Sequence, residues 1–197
     1  MSQLHHYALV GFANSGKSTL FNLLSGDKQK VGNWSGVTVA VKRKDITLPK
    51  HKAILSDLPG LHSLNQQKEQ GQDLTISHEF LQKQKIDCLV NVVDATQLKR
   101  QLFLTSQLLE LGLPMLVVLN KVDRKEAVKV DVKALSEQLG CRVIAISAQD
   151  KASIEKVHHE LESLRAQQAP QQQPESAVGK AQQTIDSIQA RHQRIHR

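Results

Sequence analysis

Eight residues, Gly11-Phe-Ala-Asn-Ser-Gly16-Lys17-Ser18, constrain this chain more than any other stretch. They fit G-x-x-x-x-G-K-[ST], the phosphate-binding loop. The context also fits: a short apolar strand, Tyr7 to Val10, leads in. Lys17 to Leu24 leads out, with Leu20, Phe21, Leu23 and Leu24 at helical spacing and Gly26 to end the helix. Glycines let backbone N–H groups turn inward around phosphate oxygens at a helix N-terminus. Lys17 is placed to neutralise the β- and γ-phosphates, and the Ser18 hydroxyl to ligate Mg²⁺. The loop offers Gly11, Asn14, Ser15, Gly16, Lys17, Ser18 and Thr19 as nucleotide contacts.

Strands and helices alternate along the rest of the chain. Val37 to Leu48 alternates apolar and polar residues and predicts a half-exposed strand, joined through Pro49 and Lys50 to a neighbour at His51 to Leu55. Leu58 to Thr75 is polar and unpatterned and reads as a loop, followed by a helix over Ile76–Gln84. Cys88 to Asp94 and Pro114 to Leu119 read as continuous buried strands. Between them Leu98, Leu102, Thr105 and Leu109 share a helical face. A short helix over Lys133–Leu139, a last strand over Val143–Ile146 and a helix capped by Asp150 follow. Buried strands separated by helices indicate a mostly parallel sheet covered on both faces. The fold class is α/β.

Three further motifs lie at strand ends. Asp57-Leu-Pro-Gly60 follows the phosphate loop by about forty residues. That spacing places Asp57 beside the Mg²⁺ shell and the Gly60 N–H toward the γ-phosphate. Asn120-Lys121-Val122-Asp123 ends the strand Met115–Leu119 and selects the base. The Asp123 carboxylate can accept from guanine N1–H and its 2-amino group, a donor pair that adenine lacks, and such a site strongly rejects the analogue without it. The Lys121 stem is expected over the base plane, with Asn120 bracing the phosphate loop. Ser147-Ala148 is expected to offer a backbone N–H to guanine O6.

These motifs, in this order, define a GTPase of the Ras-like class: a mostly parallel six-stranded sheet with one antiparallel edge strand and helices on both faces. A narrower resemblance rests on Val31-Gly-Asn-Trp34-Ser-Gly-Val-Thr38-Val, Asp57-Leu-Pro-Gly-Leu-His-Ser-Leu64, Asn91-Val-Val-Asp-Ala-Thr96 and Gln107-Leu-Leu-Glu-Leu-Gly-Leu-Pro114. From Leu9 to about Leu164 the chain resembles the cytosolic G domain of the FeoB family, bacterial ferrous-iron transporters with a GTPase fused to a membrane permease. The resemblance implies that Thr38 completes the Mg²⁺ shell and that K⁺ activates hydrolysis. Asn14 matches the family's K⁺-binding asparagine, and the Gly32 and Trp34 carbonyls complete that site. Lys17, Thr38, Gly60 and Asn14 are thereby the residues expected to carry hydrolysis of GTP to GDP and phosphate. The sequence departs from the family at Phe12-Ala13, usually Asn-Pro, and at Lys121, usually Met. Leu61 stands where many small GTPases carry a water-positioning Gln, so slow intrinsic turnover is expected.

The remaining expectations concern organisation and partners. Residues 1–166 read as the G domain, 167–177 as a Gln/Pro-rich linker, and 178–197 as an amphipathic helix, a remnant or the start of a helical regulatory domain. No apolar run approaches the roughly 18 residues of a membrane span, and Met1 to Tyr7 lacks a signal-peptide core. Cys88 and Cys141 read as reduced core residues, and the histidines show no metal-ligand spacing. The formal charge is +7, concentrated in Lys28, Lys30, Lys42, Arg43, Lys44, Lys50 and Lys52 against one acid, Asp45. With four Phe, one Trp and one Tyr, stacking partners for bases are few. Lysines blunting an exposed edge strand are the expected reading, and nucleic acid is not an expected partner. The expected partners are guanine nucleotide and the permease portion of the same transporter, at the cytoplasmic face of the bacterial inner membrane; a homo-oligomer is left open. The alternative is a freestanding GTPase acting in ribosome assembly or RNA modification, which shares every nucleotide motif.

Overall fold

The computed structural model describes residues 4–26, 32–33, 41–60, 77 and 80–167. Thr38, Trp34, His62, His78, residues 168–177 of the expected linker and the expected C-terminal helix lie outside them; Gln167, expected in the linker, ends the last described helix. The strands are β1 (His5–Gly11), β2 (Gly32–Asn33), β3 (Lys42–Thr47), β4 (Lys52–Asp57), β5 (Cys88–Asp94), β6 (Met115–Asn120) and β7 (Arg142–Ala145). The helices described from end to end are α1 (Lys17–Ser25), α2 (Leu98–Leu109), α3 (Val132–Leu139) and α4 (Lys151–Gln167); residues 77 and 80–83 are also helical, within the expected Ile76–Gln84 helix.

One sheet runs in the order β2-β3-β4-β1-β5-β6-β7. β4, β1, β5, β6 and β7 are parallel, and β3 pairs antiparallel with β4. Those six strands are the expected sheet. The two-residue β2 extends its edge by pairing antiparallel with β3. The Leu48 N–H donates to the His51 carbonyl at 2.8 Å and closes the β3–β4 turn where Pro49 predicted one.

Alternation along β1 divides the core. Tyr7 and Leu9 point to the side where Leu20, Phe21 and Leu24 of α1 and Val157 and Leu161 of α4 pack. Ala8 and Val10 point to the other, against Leu104 and Leu108 of α2 and Leu135 and Leu139 of α3. A period of two in the strand meets a period of 3.6 in each helix, so both sheet faces are sealed. β5 is buried at every residue, which is why its sequence shows no alternation.

The expected start of the third strand at Val37 falls among residues outside those described; the described strand begins at Lys42. Its basic residues are not all a solvated edge. Lys44 is buried, its ammonium donating to Ser25 Oγ at 3.2 Å and lying 5.7 Å from the centre of the Phe21 ring. Lys42, Lys50 and Lys52 are exposed. Asp150 caps α4 by accepting from the Ala152 N–H at 3.1 Å. Cys88 and Cys141 are free thiols that burial pushes up to about 12. No helix of the described residues is long and apolar enough to cross a membrane.

Candidate functional site

The carboxyl ends of β1, β4, β5 and β6 meet at one edge of the sheet, where open α/β folds bind ligands. A cavity of about 540 Å³ opens there, within the size range of small-molecule sites. Its wall includes Asn14, Gly16, Lys17, Ser18, Thr19 and Gly60 on one side and Asn120, Lys121, Asp123, Ser147 and Ala148 on the other.

Backbone geometry explains the glycines of the first motif. Gly16 precedes α1 with φ 95°, and a Cβ there would lie 2.0 Å from Asn120 Nδ2. A Cβ on Gly11 would come within 2.4 Å of the Val92 carbonyl oxygen of β5. Only glycine fits either place. Asn14 turns the loop at φ 64°, a conformation asparagine tolerates better than most residues.

At the helix N-terminus Lys17 is paired with the Asp57 carboxylate through Nζ and Oδ1, both side chains being buried. Ser18 Oγ donates to Asp57 Oδ2 at 3.3 Å. A hydroxyl and a carboxylate side by side are the hard-oxygen donors Mg²⁺ takes alongside phosphate and water, so this pair fits the ion. The chain after Asp57 is tied down by the Leu58 N–H, which donates to the Leu9 carbonyl at 3.1 Å. Gly60 then lies against the phosphate loop: a Cβ on it would be 2.9 Å from the Ala13 nitrogen.

Asn120 joins the two sides of the cavity. Its Nδ2 donates to the Ser15 carbonyl at 2.9 Å, and its Oδ1 accepts from the Ala148 N–H at 2.9 Å. The amide thus ties phosphate loop, base-side motif and the loop after β7 together. The Ser147 N–H donates to Ser153 Oγ at 3.2 Å. The Ser147 and Ala148 N–H groups, one of them expected to face guanine O6, therefore both already have acceptors that hold the loop in place. Lys121, at φ 63°, donates from Nζ to the Asn14 carbonyl at 2.6 Å and to Asp94 Oδ2 at 2.6 Å.

Gly32 is found in β2, whereas Trp34 and Thr38 fall outside the described residues. The motifs did not single out Arg124 and Gln149, which also line the cavity, as does Phe12 of the phosphate loop. The nucleotide motifs also leave out Asp94, which the sequence carries only within Asn91–Thr96, at the end of a buried strand. Burial alone would raise the Asp94 pKa. The Lys121 ammonium and the Thr96 N–H and hydroxyl outweigh it and hold the carboxyl below its usual range. A second concavity, of about 800 Å³, lies at the opposite end of the sheet and is lined by His5, His158, His159, Glu155 and Glu162 among others. Among the described residues no three His, Cys, Asp or Glu side chains converge to hold a metal.

A family model described as "Ferrous iron transport protein B" matches residues 5–161. The chain belongs to this family. It is 48% identical over 141 residues to the Fe(2+) transporter FeoB of Salmonella typhimurium, covering 70% of this chain and 18% of that protein. It therefore spans about a fifth of the length of the curated FeoB relatives it matches, 18% in that instance and 21% for the Escherichia coli K12 protein. Two solved FeoB structures share its fold. A GDP-bound mutant of the S. thermophilus FeoB G-domain is 39% identical with a TM-score of 0.69, over 80% of this chain and 59% of that one. The G domain of T. maritima FeoB is 31% identical with a TM-score of 0.73, over 83% of this chain and 99% of that one. The relatives are transporters, which favours the FeoB reading over a ribosomal or RNA-modifying GTPase.

Proposed function

We propose that this chain binds GTP and GDP in the cavity at the strand ends, hydrolyses GTP, and regulates ferrous-iron transport. It would act through the permease portion of the same transporter, at the cytoplasmic face of the bacterial inner membrane. One observation carries most of this reading: the Asn120 side chain links the Ser15 carbonyl to the Ala148 N–H, joining the phosphate loop, the base-side motif and the loop after β7 around one cavity. Asp123 in its wall supplies the acceptors for guanine N1–H and the 2-amino group.

In this reading Gly11, Asn14, Ser15, Gly16, Lys17, Ser18 and Thr19 surround the phosphates. Lys17 leaves the Asp57 carboxylate for phosphate oxygens, and Ser18, Asp57 and Thr38 hold Mg²⁺. The ion, when bound, neutralises charge on the β- and γ-phosphate oxygens. The Gly60 N–H faces the γ-phosphate from its seat on Ala13. Asn14, with the Gly32 and Trp34 carbonyls, holds K⁺, whose charge would stabilise the transition state as an arginine finger does elsewhere. With Leu61 after Gly60, no side chain there orients the attacking water, which keeps turnover slow. Residues 1–166 are read as the G domain, 167–177 as a linker and 178–197 as an amphipathic helix, a remnant or the start of a helical regulatory domain.

The test is base exchange. Asp123→Asn presents a donor where guanine also donates, so preference should move from GTP toward xanthosine triphosphate. A variant that binds GTP as tightly as the parent would show that Asp123 does not read the base.

A further inference from the structure

We infer that Asp94 is a positioning residue of the nucleotide site. Its carboxylate holds the Lys121 ammonium against the Asn14 carbonyl, locking the base-side motif to the phosphate loop before nucleotide arrives. The inference rests on the guanine-nucleotide reading.

Asp94 ends β5 and stands opposite Asn120 in the β5–β6 register, so its side chain reaches the residue that follows Asn120. Its carboxylate cannot rotate freely. Oδ1 accepts from the Thr96 N–H at 2.9 Å and from Thr96 Oγ1 at 2.7 Å. Oδ2 accepts from Lys121 Nζ at 2.6 Å. The Asp94 N–H is in turn held by Gln101 Oε1 at 2.7 Å. The Asp94 side chain is 4% exposed and that of Lys121 29%, so the pair is shielded more than a surface ion pair.

A lysine stem is among the costliest side chains to order. If its four-carbon stem is to lie over a base plane, ordering it in advance removes that cost from nucleotide binding. Asp94 supplies the fixed negative charge for this, and the Asn14 carbonyl supplies the second acceptor. The same bond pins the backbone of Asn14 in its left-handed turn. One carboxylate outside every nucleotide motif thus fixes both sides of the cavity without touching the ligand.

The experiment is a double-mutant cycle on the full chain, with affinity for fluorescently labelled GDP as the readout. Asp94→Asn keeps an oxygen for the Thr96 N–H but removes the charge. Lys121→Met keeps the stem but removes the ammonium. Each alone should weaken GDP about tenfold or more, as expected for loss of a shielded charge-assisted bond. The double variant should bind as Lys121→Met does. A purely structural role for Asp94 would leave its penalty undiminished in the Lys121→Met background, and that result overturns the inference. So does an Asp94→Asn variant with parental affinity. Failure of the parent chain itself to bind GDP would overturn the guanine-nucleotide reading and the inference together.

Discussion

Mild acid should weaken this fold through one buried ring. His6 on β1 is 5% exposed, its Nε2 is 2.8 Å from Ser56 Oγ on β4, and its ring meets Phe80 edge-on at 5.8 Å. Burial pushes its pKa down from 6.5 to about 4, and the Arg43 charge pushes the same way; a backbone bond to Lys85 and the Asp87 carboxylate oppose them only in part. The unfolded chain therefore takes up a proton near pH 6.5 that the folded chain refuses until about pH 4. Stability is full above the unfolded value and is lost as pH falls through that window. Between pH 7.5 and pH 5 the two values give a loss of about 2 kcal/mol from His6 alone. His51 and His158 are also shifted down, chiefly by burial, and add in the same direction. Asp94, held below the usual carboxylate range, keeps its contribution through this window and loses it only at lower pH. Urea unfolding followed by circular dichroism at both pH values isolates the His6 share when the parent is compared with His6→Gln, whose amide can still meet Ser56. The parent should lose about 2 kcal/mol more than the variant. Equal losses in the two proteins would refute the assignment of the acid sensitivity to this ring.

Two further outcomes follow from the phosphate loop. Gly16→Ala drives a methyl group into Asn120 Nδ2 and strains a left-handed position, so nucleotide binding should fall at least tenfold, as for a lost buried hydrogen bond and more; titration with labelled GDP checks it, and parental affinity would contradict the geometry. Phosphate release should run faster in KCl than in NaCl at equal ionic strength. Because Asn14 has φ 64°, Asn14→Gly is the variant that removes the side-chain oxygen without straining the turn, and it should abolish the difference between the salts.

Much of the site was legible because phosphate and guanine chemistry dictate residue type at fixed local spacing. Gly16 is required by a backbone turn and by the approach of Asn120, and a requirement that strict leaves a motif. The strands were legible for a similar reason: β5 and β6 are buried along their whole length, and mostly apolar runs meet that demand. What escaped depends on distant pairing. Asp94 reads locally as the cap of a turn, since its Thr96 bonds span two residues, whereas its bond to Lys121 spans 27. His6 and Ser56 stand 50 residues apart, and nothing local in either marks a buried ring in a strand. Lys44 belonged to a basic run, and only the packing of α1 on β3 turns its ammonium inward to Ser25.

The same division orders the site itself. Most residues read from motifs line the cavity, and most of those that hold them in place come from elsewhere in the chain. Asn120 belongs to both groups, because its amide gives one end to Ser15 and the other to Ala148. β4 ends in Asp57, beside Lys17 and Ser18. Just before its first residue, the Lys50 N–H donates to Glu162 Oε1 of α4 at 2.8 Å, and His51 Nδ1 lies 3.2 Å from the same oxygen. Tyr7 of β1 reaches both His51 and the Leu161 carbonyl. The strand that presents the Mg²⁺-side carboxylate is therefore anchored at its far end to the last described helix. A change in where Asp57 sits has to be absorbed along a six-residue strand hydrogen-bonded on both sides, not in a loose loop.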